Sequence, residues 1–218
     1  MYQYLLFDLD GTLTDPREGI TKAVQYALRA YGIEEPDLGK LECFIGPPLI
    51  PSFMEYYGFS REQAEEAVKV YREYFSTKGI FQNLVLEGIP QMLRKLHESG
   101  KFLAVASSKP EEFCRKILER FEILQYFDEV AGASMDEKRS EKADVIREAL
   151  RRIGIRKEHK DQVLMIGDRK HDVEGARECG LHSLGVYIGF AEPGELEKAG
   201  ADHICRTVEE MEAFLLEN

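Results

Sequence analysis

The sequence predicts an α/β fold: an open parallel sheet, covered by helices, with an all-helical insert after its first strand. From residue 86 onward, short apolar runs without charges alternate with amphipathic helical patterns, which is typical of a parallel sheet with both faces covered. Asp15 to about Gln82 shows helical patterns and no convincing strand. An apolar run at residues 2–7 precedes this segment. We therefore expect a core domain of residues 1–14 and 86–218 and a small helical domain of residues 15–85.

The opening strand delivers two aspartates, Asp8 and Asp10, directly into a Gly-Thr turn. Side chains at i and i+2 lie on the same side of a strand, so the two carboxylates can converge just beyond its end. Two carboxylates this close repel each other, which favours binding of a divalent cation between them. One of them can act as a nucleophile while the other donates and accepts protons. The alternative is that the pair only caps a turn. Gly11-Thr12 favours the ligand site, because glycine lets the backbone approach a ligand closely.

The insert is expected to hold four helical segments, which are Arg17–Tyr31, a segment from near Leu38, Ile50–Tyr57, and a long helix from Ser60 to about Thr77. Ser60 and Gln63 have the spacing of a capping box. The Gly-Pro-Pro run at residues 46–48 breaks the helical pattern, because proline cannot continue a helix. This rigid turn makes Gly46, Pro47 and Leu49 a candidate specificity loop, and the alternative is a mere corner between helices.

The rest of the chain continues the alternation of strands and helices. The predicted strands are Lys101–Ser108, Tyr126–Ser134, Gln162–Asp168, Leu184–Ile188 and His203–Cys205. The predicted helices are Ile89–Ser99, Pro110–Phe121, Glu141–Ile153, Val173–Cys179 and Val208–Leu216. In open α/β sheets, ligands bind beyond the carboxyl ends of the strands, so polar residues at those ends are the site candidates.

Two serines and a lysine are the first such candidates. Ser107 and Ser108 end a strand, where they either cap the next helix or bind an anion together with backbone N–H groups. Lys142 starts a later helix, and Lys138 is its rival four residues earlier. A solvated surface lysine is the ordinary alternative for both. Only the place of Lys142 beside a strand end points to a site.

Two further acids, Asp168 and Asp172, follow the strand that ends near Gly167. Their spacing of four lets a tight turn or a first helical turn aim both carboxylates inward. A capping role is the alternative for Asp172, whereas Asp168 directly follows an apolar strand. His171 is interpreted as a bystander, because no His or Cys accompanies it at the spacing of metal ligands.

Composition narrows the possible partners and surroundings. The net charge of −11 argues against nucleic acid, because binding a phosphate backbone needs a basic surface. The 4 cysteines are scattered, which is typical of reduced thiols in a cytoplasmic protein. The N-terminus lacks the features of a signal peptide, and no apolar run is long enough to span a bilayer. We expect no membrane association and a monomer or a weak homodimer.

These residues resemble, in order, the four motifs of the haloacid dehalogenase superfamily of phosphohydrolases. The resemblance covers essentially the whole chain, and the matching residues are Asp8-Leu-Asp10-Gly11-Thr12-Leu13, Ser107, Lys142 and Gly167-Asp168…Asp172. It implies a Rossmann-like sheet with the insert as a mobile cap of the type found in phosphoglycolate phosphatases. Similar caps occur in nucleotidases, β-phosphoglucomutases, phosphonatases and dehalogenases, and Asp10 argues against the last two. One departure is Ala143, where phosphoglycolate phosphatases usually have proline after the lysine; it favours a nucleotidase-like or general phosphatase branch.

The resemblance implies a Mg²⁺-dependent phosphatase for small phosphate monoesters, such as phosphoglycolate or a nucleoside monophosphate. Asp8 would be the nucleophile and Asp10 the general acid and base. The implied ligands of Mg²⁺ are the Asp8 carboxylate, the Asp10 backbone carbonyl and Asp168, with Asp172 in support, and the implied phosphate-binding residues are Ser107, Ser108 and Lys142. A phosphosugar mutase is the alternative enzyme, and a non-catalytic binding protein on this scaffold is the alternative outside enzymes.

Overall fold

A computed structural model describes residues 1–136 and 138–218 of the chain. The chain divides into two compact units, one made of Met1–Asp15 with Val85–Asn218 and the other of Pro16–Leu84. Within the described residues, no helix is long and apolar enough to cross a membrane.

The first unit contains a six-stranded sheet in which every strand pair is parallel. In chain order its strands are β1 (Tyr4–Phe7), β4 (Phe102–Pro110), β5 (Glu129–Ala133), β6 (Val163–Gly167), β7 (His182–Val186) and β8 (His203–Cys205). Two-residue strands, β2 (Thr14–Asp15) and β3 (Leu84–Val85), lie between β1 and β4 in the chain. The helical insertion after β1 and the parallel sheet confirm the predicted fold class.

The spatial strand order is β5-β4-β1-β6-β7-β8, which places β1 in the middle. Leu6 of β1 pairs with Ala104 of β4 on one side and with Met165 of β6 on the other. The strand order therefore reverses at β1, and open α/β sheets bind their ligands at such a switch point. The carboxyl ends of β1, β4 and β6 are adjacent there, although long segments of chain separate them.

Helices cover this sheet: α4 (Ile89–Glu98), α5 (Glu111–Arg120), α6 (Lys142–Ile153), α7 (Lys170–Cys179), α8 (Glu195–Ala199) and α9 (Val208–Glu217). A buried cluster joins α6 and α7 to the central strands through small and aliphatic residues such as Ala104, Val145, Met165 and Ala176. Fully burying one aliphatic side chain contributes about 1.5–3 kcal/mol, so this cluster holds α6 and α7 firmly against the central strands.

The second unit is helical, and it contains α1 (Arg17–Arg29), a 3-10 segment (Leu38–Phe44), α2 (Leu49–Tyr57), α3 (Arg61–Thr77) and a short 3-10 turn (Gly79–Phe81). The predicted capping box is confirmed, because the Ser60 hydroxyl accepts the Gln63 N–H and the Gln63 side chain accepts the Ser60 N–H. Packed aromatic rings form part of its core. The ring of Phe53 stacks on that of Phe59 with 5.7 Å between the ring centroids, and the ring centroid of Phe44 lies 4.9 Å from that of Phe53.

Some predicted boundaries were wrong by a few residues. The strand predicted at Leu184–Ile188 starts at His182 and ends at Val186. The strand predicted to begin at Tyr126 begins at Glu129, and Tyr126 instead ends a short 3-10 turn. The helix predicted at Val173 begins at Lys170, because Asp172 accepts the Arg169 N–H and closes its first turn. Helix α8 was not predicted, since its five residues lie between glycines at both ends.

Candidate active site

Six buried charged side chains gather where the central strands end. They account for all the buried charged residues in the described part of the chain, and they are Asp8, Asp10, Lys109, Lys142, Asp168 and Asp172. Burying a charge is costly unless it is paired, so a concentration of this kind needs internal partners or a bound ion. Five of the six residues were predicted from the sequence, and Lys109 was not.

Lys142 forms ion pairs with two of these acids. As the first residue of α6, it places Nζ 2.7 Å from Asp8 Oδ1 and 2.8 Å from Asp172 Oδ1. It also donates to the Ala106 carbonyl at 3.0 Å. Burial alone would lower the pKa of Lys142, but Asp172 and Asp8 outweigh burial and raise it, so the side chain is a cation.

The rival lysine lies elsewhere. Lys138 is 84% exposed and pairs with Asp136 on the loop after β5, at 3.0 Å. The loop also contains Glu137, which lies outside the described residues. The structure therefore brings Lys142, and not Lys138, to the predicted acids.

Asp10 has its own lysine. Lys109 Nζ lies 2.7 Å from Asp10 Oδ2, and both side chains are less than a tenth exposed. Burial raises the pKa of Asp10, and Lys109 opposes that rise. A sequence signal for Lys109 existed: it lies two residues after Ser107, so the alternation of a strand places both side chains on the same side.

The serines of β4 differ in their surroundings. Ser107 is buried, and its hydroxyl accepts the Lys109 N–H at 3.3 Å, whereas Ser108 is half-buried. Neither caps α5, because the N-cap position belongs to Pro110 and has no side-chain hydrogen bond. The capping alternative for these serines is therefore wrong, and their phosphate-binding role stays a prediction.

Asp168 is held from two sides. Its Oδ1 accepts the Thr12 hydroxyl at 3.4 Å, and its Oδ2 accepts the Phe190 backbone N–H at 2.7 Å. Two glycines make room for the carboxylate: a Cβ on Gly11 would lie 2.1 Å from Asp168 Oδ2, and a Cβ on Gly189 would lie 2.2 Å from it. The segment after β7 is thus a wall of the site, and it was not predictable from the sequence because a backbone donor leaves no residue signature.

We expect Gly189→Ala to lower the free energy of unfolding by about 3 kcal/mol, as overpacking and strain in a buried site do. Its methyl group would also lie 2.2 Å from the Gly11 carbonyl oxygen, and this backbone atom cannot rotate away. Urea denaturation measures the loss. Gly39→Ala is the control, because its Cβ would meet only the Asp37 side chain, at 3.2 Å. Equal midpoints for both variants would contradict the prediction.

The carboxylates suit a divalent cation. Asp8, Asp168 and Asp172 each offer an oxygen, and these atoms lie within 4.8 Å of one another in a buried setting. Burial raises the pKa of Asp172 to about 6 and that of Asp168 well above its usual range. Four carboxylates and two ammonium groups leave the ionised site two negative charges, which one divalent cation balances. The donor set therefore fits Mg²⁺.

Asp10 is outside this group of carboxylates, since its side chain pairs with Lys109. Its backbone carbonyl stays the predicted metal ligand. His171 is largely buried without belonging to the acidic group, and burial lowers its pKa, consistent with a neutral bystander.

The predicted specificity loop lies in the helical unit. Gly46 has a φ of +104°, and Leu49 is the first residue of α2. Gly46, Pro47 and Leu49 are all half-buried. The segment is an ordered turn whose proposed role in specificity stays a prediction.

Comparison with known proteins identifies the family. Residues 5–186 match the family of haloacid dehalogenase-like hydrolases, and this range includes every one of the six buried charged residues. The chain belongs to this family. The haloacid dehalogenase-like assignment confirms the resemblance drawn from the four motifs, and it makes the protein a phosphatase-type hydrolase.

Individual relatives are similar to this chain over almost its full length. A 5'-nucleotidase of Pseudomonas aeruginosa is 48% identical over 204 residues, which cover 94% of this chain and 91% of that protein. The tyrosine-protein kinase PtkA of Mycobacterium tuberculosis is 35% identical over 215 residues, covering 98% of this chain and 72% of that protein. The crystal structure of a predicted phosphatase from Clostridium acetobutylicum has a TM-score of 0.97 at 48% identity, with 100% of each chain covered.

Proposed function

We propose that this haloacid dehalogenase-like hydrolase removes phosphate from small phosphate monoesters, with nucleoside 5'-monophosphates as the preferred class, through a phosphoaspartyl intermediate on Asp8. The observation that carries the proposal is that two neighbouring acids, Asp8 and Asp10, have different partners. Asp8 shares Lys142 with Asp172 and belongs to the group of carboxylates that fits a cation, whereas Asp10 has Lys109 and lies outside that group, so the two carboxylates lie in different electrostatic settings. Such a difference assigns different chemical roles to two acids. The nucleotide preference rests on the similarity to the 5'-nucleotidase.

In the first step, a carboxylate oxygen of Asp8 attacks phosphorus and the bond to the leaving oxygen breaks. Lys142 binds Oδ1 of Asp8, which leaves Oδ2 to attack. Asp10 gives its proton to the leaving oxygen. In the second step, Asp10 takes a proton from a water molecule that attacks phosphorus, and the acyl phosphate breaks to release phosphate and restore Asp8.

Asp8, Asp168 and the Asp10 carbonyl would hold Mg²⁺, with Asp172 in support. When bound, Mg²⁺ supplies the positive charge that lets a phosphate dianion approach buried carboxylates. Lys142 adds a fixed positive charge beside Asp8, and Ser107 and Ser108 add hydrogen-bond donors for the equatorial phosphate oxygens. Asp172 holds Lys142 in place through its 2.8 Å ion pair.

The test is phosphate release from a panel that includes nucleoside 5'-monophosphates, phosphoglycolate and sugar phosphates, with Mg²⁺ and with a chelator. We expect release with Mg²⁺, a drop to background with the chelator, and recovery when Mg²⁺ is restored in excess. Release that is indifferent to Mg²⁺ would contradict the metal assignment. Phosphoglycolate as the best substrate would contradict the nucleotide preference. Transfer to a sugar without net release would indicate a mutase.

A further inference from the structure

Lys109 is a buried cation at the predicted site that the four motifs do not account for. It lies near the end of β4, and its side chain is 6% exposed. A lysine loses about 2 kcal/mol of side-chain entropy when it is fixed, and burying its charge costs more. These costs are offset where the lysine binds an acidic partner, and the partner here is Asp10.

The backbone around Lys109 is fixed on both sides. Its N–H donates to the Ser107 hydroxyl at 3.3 Å, and its carbonyl accepts the Cys114 thiol at 3.4 Å. The pairing of β4 with β5 shifts register between Ser107 and Pro110, so Lys109 lies inside an irregularity of the strand. Such irregularities re-aim side chains next to active sites. Lys109 therefore reaches Asp10 from an irregular part of β4 whose backbone groups are hydrogen-bonded.

The two oxygens of Asp10 have unequal surroundings. Oδ2 lies 2.7 Å from Lys109 Nζ, whereas Oδ1 is buried and has no hydrogen-bond partner among the residues that the structure describes. An ammonium group has donors only, so a proton on Oδ2 would face it unfavourably. The proton of Asp10 therefore belongs on Oδ1.

We infer that Lys109 is the positioning residue for Asp10, binding Oδ2 so that Oδ1 carries and transfers the proton. The inference rests on the proposed function, and it adds a residue and an atom to it. When the phosphorus–oxygen bond breaks, its electron pair goes to the leaving oxygen and the Oδ1 proton follows. The negative charge that remains on Asp10 then lies beside Lys109, which stabilises it. The reverse transfer, from water to Oδ1, restores the acid in the second step.

This role predicts a dependence on the leaving group. An alkoxide needs a proton as it departs, whereas p-nitrophenolate departs without one. In Lys109→Met, we expect release of the alcohol from the best alkyl phosphate of the panel to slow by about a hundredfold, the usual scale of general acid catalysis. Release of p-nitrophenolate should slow less than about threefold. Single-turnover measurements with excess enzyme isolate this first step from hydrolysis of the phosphoenzyme.

Two comparisons separate positioning from a general structural role. Lys101→Met is the matched control, because Lys101 precedes β4, is half-buried and donates to the Tyr2 carbonyl instead of to an acid. It should leave both rates unchanged. In an Asp10→Asn background, Lys109→Met should slow alcohol release by less than about twofold, because contacts in one network are not additive. Lys109→Gln keeps an N–H donor on a side chain one bond shorter and should show the same leaving-group dependence with a smaller loss.

The outcomes are distinct. An equal slowing for both leaving groups, no slowing, or a full additional loss in the Asp10→Asn background would overturn the positioning role while leaving the phosphatase intact. An inactive wild type would overturn the proposed function, and this inference with it. If Lys109→Met does not fold, as judged by circular dichroism, Lys109→Gln decides by the same comparison.

Discussion

Asp8→Asn is expected to lower the rate of phosphate release by at least about 10⁴-fold, because an enzyme that forms a covalent intermediate loses rate on this scale when its nucleophile is replaced. Asparagine has nearly the same shape, but its amide cannot attack phosphorus as a carboxylate does. The fold should survive, because Lys142 keeps its ion pair with Asp172 and its hydrogen bond to Ala106. Phosphate release at saturating substrate measures the effect, and circular dichroism checks the fold.

Asp161→Asn is the matched control for Asp8→Asn. It makes the same chemical change on an exposed residue just before β6, away from the carboxyl ends of the strands. It should retain wild-type activity. A folded Asp8→Asn enzyme with substantial turnover would disprove the nucleophile assignment. Trapping of a phosphorylated wild-type protein by acid quench, absent in Asp8→Asn, would support it directly.

Lys142→Ala should impair both catalysis and stability. The rate should fall by at least about a hundredfold, since one preorganised charge contact is worth that much in the transition state. The free energy of unfolding should fall by about 3 kcal/mol, because Asp8 and Asp172 lose their common buried cation. Steady-state kinetics and urea denaturation measure the two effects in one preparation.

Lys138→Ala provides the comparison four residues earlier. Its side chain is 84% exposed and its ion pair with Asp136 lies in solvent, so an exposed pair of this kind contributes little to stability. Activity and unfolding should match the wild type. If Lys138→Ala were the damaging change and Lys142→Ala were harmless, the assignment of the third motif would be wrong.

Adding Mg²⁺ during urea denaturation provides a further check on Lys142→Ala. The variant removes one positive charge from a site that holds four carboxylates. A ligand that binds only the native state stabilises it, so Mg²⁺ should raise the unfolding midpoint of the variant as well as that of the wild type. A wild type without any Mg²⁺-dependent shift would contradict the metal assignment independently of catalysis.

Features that depend on neighbours in the chain were predictable from the sequence. The capping box of Ser60 and Gln63 spans three residues, and the long helix that it starts was predicted with the observed end at Thr77. The uncharged strands β1 and β6 were predicted because a strand covered on both faces needs apolar side chains at successive positions, and such a run is visible in the sequence. Asp8, Asp10 and Asp168 follow those strands, so their common location came from topology rules alone.

Contacts between distant segments were decided by the tertiary structure. Lys138 is a rival of Lys142 in the sequence, and only the docking of α6 on the sheet brings Nζ of Lys142 to 2.7 Å from Asp8. The spacing of Lys109 from Ser107 indicates only a shared side of the strand, and its partner Asp10 is defined once β4 lies beside β1. The Phe190 N–H on Asp168 has no residue signature at all, because every residue except proline offers the same backbone donor. Local periodicity and turn chemistry were therefore enough to predict the helices, the strands and the positions of the acidic residues. The partner of each acid depends on packing between segments far apart in the chain, which short-range patterns do not encode.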